Sequence, residues 1–490
     1  MRLQVASLLL AAAPATALAG GFESEYPDNN ARVLGRAGAF AARADDPSAI
    51  QYNPAGLARL HGVNLLLSVN LVNVTQAFAP DDDVRARRVR SFDAAEQQVD
   101  LIAAPMLALQ FDFEALPAFD FAVGVYGPSG TTHRKFPGQW TIDAVTDSRG
   151  QDARDDLRGV QSSALSQNGL LAEAEMLQAY PTVAVAWTAT DELRVGVSLQ
   201  ASFLDAKISK SIGGPAPGVV TLDVADPFTP TAILGVLYQP LPWLEVGAMY
   251  RPSFENVARG KARLDLYQGP CPQGACPTDG SEIPLGPYGL EGTVPFRRAD
   301  GTPDNDITFT FTNPDILRVG ARYIHPRFDI ELDYIWQRSS SHDGFLIEFD
   351  AEQALLPGLD EPVPVPVVLD ERHYVDTHGL RLGSDVVVLP EVLTIRAGAS
   401  YETGSSPDAY TTLDFPGLDQ WSVAAGATVH LGLVDIDAGF TYVGLQSRDV
   451  TTSKLGIIDI LLPQDEWVVV GNGTFSGRYL VGGVGATLHL

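Results

Sequence analysis

Past its first twenty residues the chain has no apolar run near the roughly 18–20 residues that a spanning helix needs. A helical membrane protein is therefore excluded. Cysteine is almost absent: Cys271 and Cys276 lie in Cys-Pro-Gln-Gly-Ala-Cys, and two thiols without nearby histidine do not complete a zinc shell. No metal and no cofactor is expected. Basic residues are scarce, 33 Lys and Arg against 60 Asp and Glu, giving a formal net charge of −27. Nucleic acid is excluded as a partner, because phosphate binding needs a basic surface. The eight histidines are scattered, and neither a Gly-x-Ser-x-Gly elbow nor His-Glu-x-x-His occurs, which argues against a hydrolase.

The N-terminus carries Arg2, an apolar stretch from Val5 to Ala13 broken only by Ser7, and Ala17-Leu18-Ala19. The last triplet has the small-x-small pattern of a signal-peptidase site. Residues 1–19 are expected to be a signal peptide, with the mature chain starting at Gly20. Export implies an oxidising compartment. Cys271 and Cys276 then fit a loop disulfide, whose short ring stabilises by only roughly 2 kcal/mol in the chain-entropy view. Asp81-Asp82-Asp83 reads as a solvated loop. Arg85, Arg87, Arg88 and Arg90 either meet lipid phosphates or neutralise that acidic run.

What is abundant is alternation. Phe328, Ile330, Leu332, Tyr334 and Trp336 share one face, with Asp329, Glu331, Asp333 and Gln337 opposite. Leu193 to Ala201 and Leu393 to Tyr401 alternate in the same way, as does the C-terminal stretch ending at Leu490. Such period-two segments are strands. Many are ~10 residues long, enough to span a bilayer core when tilted. The pattern gives about fourteen strands, near 63–78, 100–113, 119–127, 178–189, 192–209, 228–239, 242–258, 306–324, 327–338, 373–388, 392–402, 418–432, 434–448 and 474–490. Tight turns alternate with long loops, the asymmetry of an outer-membrane barrel. The expected fold is all-β, a transmembrane antiparallel β-barrel spanning 63–490.

Residues 20–62 differ: they are Gly-, Ala-, Asp- and Pro-rich and precede every strand. A plug (hatch) inside the barrel lumen is expected there. With His325-Pro326 taken as a turn, Arg322 faces Asp329 and Arg318 faces Asp333 on the inward side. That ladder is either structural, at roughly 0.2–1 kcal/mol per pair, or a guide for a carboxylate substrate.

Gly20-Gly21-Phe22, Leu34-Gly35-Arg36-Ala37, Ala44-Asp45-Asp46 and Asn53-Pro54-Ala55 occur in order close behind the signal sequence. In these elements the chain resembles the FadL/TodX-type outer-membrane transporters of long-chain fatty acids and hydrocarbons. Past residue 62 the resemblance is one of pattern. It implies a fourteen-stranded barrel with an N-terminal hatch in the outer membrane, and a hydrophobic small molecule caught among extracellular loops. The ligand then reaches a lumen pocket beside the hatch and leaves sideways where the third strand kinks. Carried over, Asn53, Pro54 and Ala55 mark the hatch, and Gly20, Gly21 and Phe22 the segment near the pocket. Gly124, Gly127 and Pro128 suit the kink, since Gly weakens a strand and Pro removes a ladder donor. The implied surroundings are outer-membrane lipid and lipopolysaccharide, with the protein a monomer. The loops offer Leu170, Leu171, Met176 and Leu177, or Leu355, Leu356 and Leu359, as apolar lining. Two features depart from the family: the 128–177 loop is much longer than 210–227, and the chain ends in Leu490 and not an aromatic residue. The readings that compete with transport are a porin-like channel and a surface adhesin or receptor.

Overall fold

The computed structural model describes residues 29–80, 95–96, 101–127, 133–136, 140–141, 161–162, 171–212, 218–266, 292–355, 361–456 and 469–490. The leader, Gly20-Gly21-Phe22, Pro128, Cys271, Cys276, Leu170, Leu356 and Leu359 lie outside the described residues.

Fourteen antiparallel strands close on themselves. They are β1 (Val63–Pro80), β2 (Ile102–Asp112), β3 (Phe119–Tyr126), β4 (Leu171–Thr188), β5 (Leu193–Ile212), β6 (Gly218–Leu241) and β7 (Leu244–Arg251). Then come β8 (Ile316–His325), β9 (Phe328–Gln337), β10 (Thr377–Leu389), β11 (Leu393–Glu402), β12 (Gln420–His430), β13 (Val434–Val450) and β14 (Gly473–His489). Each pairs with the next, and β14 closes on β1 from Asn64↔His489 to Pro80↔Gly473. Closure leaves no sheet edge, which is what allows strands to cross lipid. The outward faces carry the apolar alternates: Ile330, Leu332 and Tyr334 on β9, and Ile395 and Tyr401 on β11, are exposed.

Two prolines divide the wall into a lower and an upper part. β7 stops before Pro252 and resumes as Phe254–Leu266; across from it, Asp306–Asn313 stops before Pro314 and resumes as β8. Pro cannot donate to a ladder, so breaks fall there. The sequence reading had merged each pair of segments into one strand. Below the breaks β7 pairs with β8. Above them the sheet continues from β6 through Phe254–Leu266, Asp306–Asn313, Gly344–Phe349 and Val368–Glu371. Stretches read as loops therefore supply strands that extend the wall on the long-loop side.

β5 shows how one strand serves both levels. Low on the strand Leu199 and Phe203 face outward, while Ser198, Gln200 and Ser202 are buried within. Higher up the faces exchange character: Asp205 and Lys207 are exposed, and Leu204 and Ala206 are buried. The adjacent pair Phe203-Leu204 marks where lipid ends and an apolar interior begins.

The β8–β9 register differs from the expected one. His325 pairs with Phe328, so the turn is Pro326-Arg327, with Pro at the position where its fixed φ is favoured. Arg322 then faces Glu331, and Arg318 faces Ile335, not Asp333. The Arg322 side chain still reaches Asp329 diagonally, Nε to Oδ2 at 2.6 Å. The expected Arg318–Asp333 rung is not formed; the Arg318 guanidinium lies over the Tyr52 ring at 5.4 Å.

Candidate functional site: an occupied lumen below an apolar cavity

Residues 29–60 fill the lower lumen as two short helices, α1 (Ala31–Leu34) and α2 (Ala49–Tyr52), and a 3-10 turn, Pro54–Arg59. Helices of four residues do not hold themselves together in water, so the barrel must hold them. Asn30 caps α1 through its side chain, which accepts from Arg32 N at 2.9 Å. Asn53 is fully buried and starts the 3-10 turn, accepting from Ala55 N at 3.2 Å. Its Nδ2 donates to Ala41 O at 2.7 Å and to Val236 O on β6 at 3.0 Å. Pro54 follows at the first position of the turn, where its missing N–H costs nothing.

Carboxylates from the wall clamp this segment. Arg36 is fully buried; Nη1 contacts Asp329 at 3.0 Å and Asp385 at 2.5 Å, and Nη2 contacts Glu331 at 2.9 Å. Asp333 accepts from the backbone N–H of Phe40 and Ala41 at 2.8 and 2.9 Å. Glu331 accepts from Ala42 N at 2.7 Å. Arg43 adds contacts to Asp329 at 2.6 Å and Asp385 at 3.3 Å. Asp329, Asp333 and Arg322 are thus brought together, but around the N-terminal segment. Sequence reasoning saw these acids and assigned them to a ladder or a substrate guide, because nothing local says that a segment some 290 residues earlier reaches them.

Glycines make the close approach possible. Inward glycines face one another on paired strands: Gly196 and Gly235, Gly247 and Gly320, Gly383 and Gly398, Gly439 and Gly483. A Cβ at Gly247 would lie 2.1 Å from Ala41 O, and one at Gly196 2.3 Å from the Pro54 carbonyl carbon. The signal was present as single glycines inside alternating strands, but their common level needs the register. Gly124 belongs here. It was expected to permit a bend; it is paired on both sides, with Ala108 and Thr182, and its missing Cβ leaves room for Ile50.

The β3 ladder ends at Tyr126, just before Gly127. β2 runs on to Ile102 and β4 runs on to Leu171. Among the described residues, Ile102–Pro105 pair only with β1, and Met176–Ala179 pair only with β5. Residues 128–132, between Tyr126 and the next described pairing with β4 at His133–Lys135, lie outside the described residues. Met176–Ala179 lie level with Phe203, which pairs with Ala179 at the upper limit of the apolar outer band.

Above the lumen segment the upper sheet forms a cavity of about 620 Å³, counting the space at its open mouth. Leu171, Ala174 and Met176 of β4, Ile208 of β5, Leu222 of β6, Phe309, Phe345 and Phe415 line it. Phe309 and Phe345 stack at 5.5 Å, and Phe345 lies 5.9 Å from Phe415. An adjoining chamber of about 550 Å³, again counting its open mouth, shares Val220, Leu222 and Ile347 and is walled by Leu264, Phe296 and Phe349. Leu171 and Met176 were expected among lining residues; Leu177 and Leu355 do not line either cavity. Lys210, Asp370, Arg372 and Asp414 close one side of the larger cavity. Burial alone would raise both carboxyls, but the Arg372 and Lys210 cations outweigh it and hold Asp370 and Asp414 below the usual range. His342 packs on Phe345 at 4.8 Å, and its Nδ1 lies 2.9 Å from the Thr312 carbonyl. Burial pushes its imidazole down to about 4. Among the described residues His133, Glu173 and Glu175 stand close enough to share an ion. Lys135 Nζ already contacts Glu173 at 3.1 Å.

A closed fourteen-strand barrel with residues 29–60 inside its lower lumen and an apolar cavity above them is the architecture of an outer-membrane β-barrel. A family model described as outer membrane protein transport protein (OMPP1/FadL/TodX) matches residues 158–466, well over half of the chain, and the protein belongs to that family. The fold is similar to that of a Pseudomonas aeruginosa FadL homologue, at 15% identity over 96% of this chain and 99% of that one, with a TM-score of 0.69. It is also similar to the Pseudomonas putida toluene transporter TodX, at 14% identity over 96% and 98% of the two chains, TM-score 0.60. The Ralstonia pickettii toluene transporter TbuX gives 16% identity over 97% and 100%, TM-score 0.58. No curated protein matches the chain.

Proposed function

We propose that the protein takes up hydrophobic small molecules, long-chain fatty acids or hydrocarbons, across the outer membrane. In this reading residues 20–62 are a hatch that stays in the lumen, and the upper cavity is the capture site. The segment around Gly20, Gly21 and Phe22 stands near a lumen pocket. In this reading cargo leaves sideways into lipid through a gap in the wall near Gly124, Gly127 and Pro128. The observation that carries the reading is the apolar cavity above the occupied lumen, which Leu171, Ala174 and Met176 of β4 line just beyond the end of β3 at Tyr126. Apolar cargo loses roughly 25 cal/mol per Å² if it is returned to water, so sideways release into lipid is favoured over release into the periplasm. The hatch clamp supports the same route, because it closes the direct path downward.

Uptake of a radiolabelled apolar probe by cells, at equal surface expression, tests this. Wild-type protein should accelerate uptake, and Leu222→Trp, which fills the cavity, should remove most of the gain. Planar-bilayer recordings should show no steady small-ion conductance. Steady conductance with no effect of Leu222→Trp would favour the porin reading.

A further inference from the structure

We propose that Asp370 and Asp414 are specificity residues of the upper cavity. They occupy its two cations, so that it accepts an uncharged apolar ligand and turns away a carboxylate. The proposal rests on the capture reading above and adds the chemical class of the ligand.

A buried site that recognises a fatty-acid headgroup needs a cation held free for it, because a desolvated carboxylate without a partner is strongly disfavoured. Among the described residues that line the larger cavity two are cations, and both are taken. Lys210 Nζ lies 2.7 Å from Asp370 Oδ2. Arg372 Nη2 lies 2.8 Å from the same oxygen and 2.5 Å from Asp414 Oδ2. Arg372 Nη1 donates to Asp414 Oδ1 at 2.8 Å and to Thr412 at 2.6 Å. The Arg372–Asp414 contact is thus two-pronged, the geometry that satisfies both groups best. The Arg372 side chain is 1% exposed and lies over the Phe345 ring at 4.8 Å, so it cannot swing out to a new partner without unpacking the wall. Among the described lining residues two acids balance two bases, and an incoming carboxylate would be a third acid beside them. The adjoining chamber adds no charged lining residue among those described. What both chambers offer is aliphatic and aromatic surface.

The test compares naphthalene with 2-naphthoate, the same ring system without and with an ionised carboxylate. Binding is measured on the full-length protein in nanodiscs, with Leu222→Trp subtracted as the lipid-partition control. Wild-type protein should bind naphthalene at least about ten-fold more tightly than 2-naphthoate, as expected when a buried charge lacks its partner. Asp370→Asn/Asp414→Asn frees both cations and should raise 2-naphthoate affinity about ten-fold, leaving naphthalene within about a factor of three. Asp414→Asn alone should give part of that gain and serves if the double variant fails to insert. A gain of affinity is not a consequence of misfolding. Equal affinity of wild-type protein for the two probes, or no gain in either variant, overturns the specificity assignment and leaves the capture reading standing. Failure of Leu222→Trp to reduce binding of either probe overturns both.

Discussion

Replacing Arg36 with Met keeps the apolar stem and removes the guanidinium from Asp329, Glu331 and Asp385, whose side chains are at most 5% exposed. Arg43 still pairs with Asp329 and Asp385, so the loss falls mainly on Glu331. Breaking a buried pair by removing one partner costs about 3–5 kcal/mol. The cost should appear as local release of the lumen segment, since the barrel ladder does not depend on Arg36. At 1.4 kcal/mol per decade, the Phe40, Ala41 and Ala42 amides, which donate to Asp333 and Glu331, should exchange roughly a hundred- to a few thousand-fold faster. Hydrogen-exchange mass spectrometry compares the peptide carrying them with the β1–β14 seam. Arg36→Lys should recover only part, because a point charge cannot replace a planar fork that serves three acids. Unchanged protection at residues 40–42, or an equal loss along the seam, would refute the clamp.

Gly247→Val puts a Cβ 2.1 Å from Ala41 O and should displace the lumen segment, seen as protease sensitivity near residue 41, whereas Gly482→Ala, with open space around it, should not. Asn53→Ala removes three hydrogen bonds and leaves a buried carbonyl without its donor, at a cost of about 1–3 kcal/mol. It should reduce apolar uptake while the barrel stays folded and heat-modifiable. His342 supplies a pH prediction. Its folded pKa, about 4, lies below the usual 6.5, so the unfolded state binds more protons between these values. Stability of the cavity wall is present above pH 6.5 and falls as pH drops toward 4, by about 3 kcal/mol in all. Exchange at residues 342–349 should rise across that window in wild-type protein and be flat in His342→Asn.

The barrel was legible because lipid and lumen impose strict alternation, as in Ile330, Leu332 and Tyr334 against Asp329, Glu331 and Asp333. The closed fourteen-strand count follows from it. What was not legible needed distant partners. Val368–Glu371 and Gly344–Phe349 are short and mixed in character, and they become strands only because Asp306–Asn313 offers an edge. Pro252 and Pro314 were visible, but their shared level required the register of two strands. The β8–β9 turn was expected at His325-Pro326 and lies one residue on, at Pro326-Arg327, so Arg322 and Asp329 pair only diagonally. Of the cavity lining only Leu171 and Met176 were foreseen, for the reason seen in β5: the apolar face changes sides at Phe203-Leu204, which ends the simple alternation just where the site begins.

The most direct test of the account is photo-crosslinking from the extracellular side with an uncharged apolar diazirine probe, followed by mass spectrometry of the labelled peptides. The account predicts early labelling of peptides carrying Leu222, Phe309 and Phe345, then of those carrying Ile102–Pro105 and Met176–Ala179, with none on the periplasmic turns at 326–327 and 431–433. Labelling that spares the cavity, or that reaches the periplasmic turns through an open lumen, would contradict it.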